Sequence, residues 1–150
     1  MELRIPPAVV FLICVGLMYL LATFLPVGYF DFFGRHYLVY GLLAFASIVA
    51  IIALFQFFSS RTTINPTNPS GASKLVESGI FAYSRNPMYL ALLVLLLAWG
   101  IWLGNAFNTL LAAGFVGYMN RFQIIPEEMA LVKLFGKSYR QYCLNVRRWF

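Results

Sequence analysis

The stretch NPMYLALLVLLLAWGIWLGNAFNTLLAAGFVGYMN, residues 86–120, contains no charged side chain, and its reading decides the fold. A helix crossing the hydrocarbon core of a bilayer needs about 20 apolar residues. This run is too long for one span and long enough for two short ones, with turn chemistry at Gly104-Asn105 near its middle. It reads as two close-packed spans, 88–103 and 106–124. Two more charge-free runs, 5–30 and 37–60, hold one span each, at about 6–27 and 37–58. Composition agrees: hydrophobic residues are 61% and charged ones 11% of the 150, too few to build a water-facing shell. The expected fold is an all-α integral membrane protein in a single domain. It has about four transmembrane helices, a cytoplasmic connection over 59–87 and a cytoplasmic C-terminal amphipathic helix in the tail, 125–150.

The basic residues orient it. With four spans, both termini and the 59–87 connection share a side that carries ten of the eleven Lys and Arg, leaving only Arg35 opposite. The positive-inside rule makes that side cytoplasmic and the protein multi-pass, as in a prokaryotic inner membrane. The net charge of +6 is then mostly juxtamembrane, which points to membrane lipids as partners and not to nucleic acid. The first apolar run exceeds a signal-peptide core and is expected to be retained. Cys14 and Cys143 fall at different levels and make no disulfide framework. His36 stands alone at headgroup level, and no ligand spacing suggests a metal.

The 59–87 connection is long for a loop. Asn65-Pro66, Asn68-Pro69 and Ser70-Gly71 mark turns, and SKLVESG (73–79) suggests a short helix stopped by Gly79. SRNPMY (84–89) follows. Asn86 suits an N-cap and Pro87 the first helical position, which explains those two residues but neither Arg85 nor Tyr89. The positive end of this helix would face the cytoplasm as an anion site. In the tail, PEEMAL (126–131) opens a helix with Glu127 and Glu128, two of the chain's five acids. Leu131, Phe135, Tyr139, Tyr142 and Val146 then recur at helical spacing, with a break expected at Gly136.

SKLVESGIFAYSRNPMYL (73–90) and PEEMALVKLFGKSYRQYCLNVRR (126–148), with the span pair between them, resemble the integral-membrane methyltransferases. These comprise the isoprenylcysteine carboxyl methyltransferases and the related phospholipid N-methyltransferases. The resemblance covers about half the chain. It implies S-adenosyl-L-methionine as cofactor, bound at the cytoplasmic face without a Rossmann domain, and a lipophilic small molecule or lipid as substrate. Carried over by motif, the cofactor residues are Ser73, Lys74, Leu75, Val76, Phe81, Asn86, Pro87, Met88, Tyr89 and Glu127. The catalytic candidates are Arg121, Glu128 and Arg85, with Glu128 a base if the acceptor is an amine or thiol. The chain departs from the prenylcysteine pattern at Asn86 (commonly His), Phe81 (usually Tyr) and Gln123 (an arginine there, with Arg121 two residues earlier). The acceptor stays open among carboxylate, amine and thiol. Two other readings remain: a sterol-reductase-like enzyme using NADPH, and a non-catalytic membrane protein in which capping and topology explain every motif.

Overall fold

The computed structural model describes residues 5–59 and 75–150. Within them the chain is helical, apart from an isolated bridge between Tyr29 and Asn105. Helix α1 runs Pro7–Phe24 and α2 Arg35–Ser59. Helix α3 runs Pro87–Leu103, α4 Asn108–Tyr118, α5 Ile125–Phe135 and α6 Lys137–Asn145. A 3₁₀ turn occupies Gly79–Ala82, and a π turn, Met119–Ile124, joins α4 to α5 without a break.

Helices α1 and α2 are long and apolar enough to cross a membrane, whereas α3, also apolar, has 17 residues. At 1.5 Å per residue α3 is ~25 Å long. Its surroundings set it apart from the first two. It packs against α1, α2 and α4, with Leu96 and Ala98 fully buried. Small side chains allow that approach: α2 buries Ala46 and Ala53, and α3 buries Ala91, Ala98 and Gly100. The outer faces of α1 and α2 remain apolar, as with Leu12 at 64% and Ile51 at 65% exposure. Bare apolar faces of this size are stable against lipid tails and costly against water.

The α1–α2 and α3–α4 turns interlock at one end of the bundle. Phe30 N–H donates to Gly104 O (2.8 Å) and Ala106 N–H to Gly28 O (3.0 Å). Gly104 ends α3 with φ +65°, a left-handed conformation that glycine adopts without penalty. Asn105 fills the gap, donating from Nδ2 to Leu25 O and accepting from Phe107 N–H. Arg35 donates to Phe30 O, and His36 packs edge-on to Trp102.

Two local expectations change. Residues 75–78 of the suggested 73–79 helix are not helical, and Gly79 starts the 3₁₀ turn at φ +61° instead of stopping a helix. Gln56 of α2 fixes that turn by accepting from Ile80 N–H (3.0 Å), and a Cβ on Gly79 would strike the same Gln56 side chain. Pro126 does not begin a separate tail helix. A proline inside an α-helix lacks a donor and clashes with the carbonyl four residues back. Here the widened turn precedes it, with Ile125 N–H reaching Asn120 O, so the helical path passes through the proline. The break comes at Gly136, φ +53°.

Candidate active site

The other end of the bundle gathers most of the acids and arginines described. Asn86 occupies the N-cap position of α3, and Leu90 N–H donates to its carbonyl (2.9 Å). Its side chain makes no cap bond. Nδ2 donates instead to Arg148 O (3.0 Å), because residues 146–149 lie back across 84–86. Tyr89, one turn later, buries its ring in the bundle core beside α1 and α4 residues and keeps a polar tip. That hydroxyl donates to Glu127 Oε1 (2.7 Å). The same oxygen accepts from Gln123 Nε2 (2.6 Å), one turn earlier on the path through the π turn. Gln123 is 2% exposed. Two neutral donors from two elements thus hold this carboxylate oxygen at the mouth of the bundle.

Its neighbour Glu128 has different company. Arg148 grips it with two bonds, Nε to Oε1 (3.0 Å) and Nη2 to Oε2 (2.7 Å), while Arg85 Nη1 stands 3.2 Å from Oε1. Arg85 also reaches Cys143 Sγ, and its N–H donates to Arg147 O (3.0 Å). Hydrogen bonding to Glu128 raises the Arg148 guanidinium further above its ordinary value. Tyr142 donates to Phe81 O (2.6 Å), and burial pushes both Tyr139 and Tyr142 well above the usual phenol range. Both therefore remain neutral donors at physiological pH.

Of the residues expected from sequence, the structure brings Arg85, Asn86, Tyr89, Glu127 and Glu128 to one end, with Pro87 buried and Met88 half-buried at the helix start. Leu75 packs on the Tyr139–Tyr142–Val146 cluster, Val76 is half-buried, and Phe81 meets Phe57 of α2 at 5.8 Å between rings. Ser73 and Lys74 lie outside the described residues. Arg121 is exposed, 5.8 Å over the ring of its neighbour Phe122, while Gln123 turns inward. An open groove of ≈ 500 Å³ separates Glu77 and Ala82 from Ser138, Gln141 and Asn145 of α6.

From sequence, Gln123 stands out only as a departure from the family's arginine, and Arg148 and Trp149 do not stand out as site residues. The i, i+4 spacing of Gln123 and Glu127 was the available signal for the first. Nothing in the sequence announced that Arg148 and Trp149 fold back.

Comparison with known proteins gives two kinds of match. The phospholipid methyltransferase family matches residues 32–138. A protein-S-isoprenylcysteine O-methyltransferase of Schizosaccharomyces pombe is 32% identical over 102 residues, 68% of this chain and 43% of that protein. The chain thus spans less than half the length of that relative. An "Uncharacterized protein" of Haemophilus influenzae is 50% identical over 62 residues, 41% of this chain and 98% of that protein. No solved structure matches the chain.

Proposed function

This chain belongs to the phospholipid methyltransferase family, and from that premise we propose a specific enzyme. It moves a methyl group from S-adenosylmethionine to a lipophilic acceptor. All four apolar helical segments lie in the membrane, with both termini on the cytoplasmic side. The observation that carries the reading is the meeting of Glu127, Tyr89 and Gln123 at the start of α3.

The donor set fits the cofactor. The Glu127 carboxylate complements the ammonium or ribose hydroxyls of S-adenosylmethionine, and the positive end of the α3 dipole complements its carboxylate. Pro87 and Met88 offer apolar surface beside them, with Asn86 at the rim; Leu75, Val76 and Phe81 continue that wall toward α6. When bound, S-adenosylmethionine supplies a methyl on a cationic sulfur, whose in-line displacement depends chiefly on alignment. Tyr89 and Gln123 hold the Glu127 carboxylate in place for that alignment. Glu128 has both oxygens engaged by guanidinium donors, so it is not placed to take a proton from an acceptor; with Arg85 it acts as a brace. Arg121, on the outer surface, is available to an anionic group of a lipid acceptor arriving from the bilayer.

The test is thermal unfolding of the purified protein in detergent. S-adenosylhomocysteine at a hundred times its dissociation constant should add about 2.7 kcal/mol and raise the transition. A rise with NADPH instead transfers the site to a reductase, and a rise with neither ends the enzymatic reading. Labelled S-adenosylmethionine added to membranes then identifies the acceptor by the lipid that carries the label.

A further inference from the structure

Beyond α6 the backbone turns extended at Val146 and doubles back on the start of α3. Residues 147–149 touch the entry to α3 and, some forty residues further along the chain, the contiguous π turn and α5. Arg147 O accepts from Arg85 N–H, and Arg148 O accepts from Asn86 Nδ2 (3.0 Å) and Ser84 Oγ (3.3 Å), all at the entry to α3. The Arg148 guanidinium holds Glu128 on the first turn of α5 through both carboxylate oxygens. Trp149 Nε1 donates to Asn120 Oδ1 (3.1 Å) inside the π turn. Glu127 and Tyr89, the two halves of the candidate site, stand on two of these elements.

We propose that this strap positions the site, with Arg148 as its principal positioning residue. By gripping Glu128 it fixes the helical turn that Glu127 shares, and by its carbonyl it fixes the entry of α3, one turn from Tyr89. The inference rests on the reading of Glu127 as part of the methyl-donor site. A bidentate guanidinium–carboxylate pair sets direction as well as distance, which a lysine ammonium does not reproduce. Arg85, with one longer contact to the same carboxylate, contributes less.

The experiment is calorimetric titration of S-adenosylhomocysteine into the full-length protein in detergent, beside amide hydrogen exchange. Arg148→Ala should weaken binding at least tenfold while the protein elutes as a single species with unchanged helical content, and Arg148→Lys should recover only part of the loss. Binding within twofold of the parent in Arg148→Ala, or full recovery with lysine, overturns the proposal. If Arg148→Ala fails to fold, Trp149→Phe keeps an aromatic ring while removing the indole N–H that donates to Asn120. It should weaken binding about threefold, and unchanged binding overturns the proposal there too. Should the parent itself take up no S-adenosylhomocysteine, the methyl-donor reading falls, and exchange decides the strap alone. Arg148→Ala must then speed exchange at both 87–91 and 127–131, and unchanged protection at either overturns it.

Discussion

The two ends of the helical bundle are built from different materials. At the turn end, backbone meets backbone: Gly28 and Gly104 carbonyls accept amides across the two loops, and Asn105 and Arg35 answer main-chain groups nearby. At the tail end, side chains take part in most of the joining, as in Tyr89–Glu127, Gln123–Glu127, Arg148–Glu128 and Trp149–Asn120. Backbone closure tolerates changes of side chain but demands particular dihedral angles. Side-chain closure leaves groups whose charge and hydrogen bonding a ligand can exploit. On this view stability is concentrated at one end and recognition at the other, and substitutions can pull the two apart.

The largest expected effect is at the tail end. Glu127→Gln keeps the shape and an acceptor but removes the charge, so S-adenosylhomocysteine affinity should fall by about 1.5–3 kcal/mol, roughly 10- to 150-fold. The unfolding temperature without ligand should be nearly unchanged; undiminished affinity would remove Glu127 from the site. Next comes Gly104→Ala at the turn end. The new Cβ would lie 2.9 Å from Phe30 O at φ +65°, so stability should drop by about 2 kcal/mol. Ligand affinity should stay within twofold. A Gly104 variant that binds poorly while folded would break the division between the ends. The smallest effect belongs to Arg121→Ala. Its side chain is exposed, so stability should move by less than about 0.5 kcal/mol and S-adenosylhomocysteine binding not at all. A slower methylation rate with intact cofactor binding would sharpen the picture by giving the acceptor its own contact.

The membrane character of the fold was legible because it is written in runs: charge-free stretches need no partner to be interpreted. The candidate site was legible only as residue types. Arg85 and Tyr89 drew attention as a charge and a hydroxyl without a local reason, and Glu127 as one of few acids at a helix opening, yet their pairing depends on contacts across 38 to 58 positions. Asn86 shows the limit well. A cap by its side chain was the simplest local account, and a carbonyl 62 residues away took that side chain instead. Arg148 and Trp149 carried no signal because their partners, Glu128 and Asn120, are chosen by the path of the chain beyond α6. Pro126 misled in the other direction: proline chemistry alone suggests a helix start, and the π turn that accommodates it leaves no compositional trace.

That turn has a consequence for direction. An α-helix advances about 100° per residue, so one extra residue in a turn rotates everything after it by that angle relative to an uninterrupted helix. Met119–Ile124 therefore acts as a phase setter between the α4 and α5 segments. Deleting a single residue there would restore a more regular helix and swing Glu127 by roughly a quarter turn, away from the Tyr89 hydroxyl. The irregular geometry lets one continuous rod show a lipid-compatible face along its first half and aim an acid into the protein in its second.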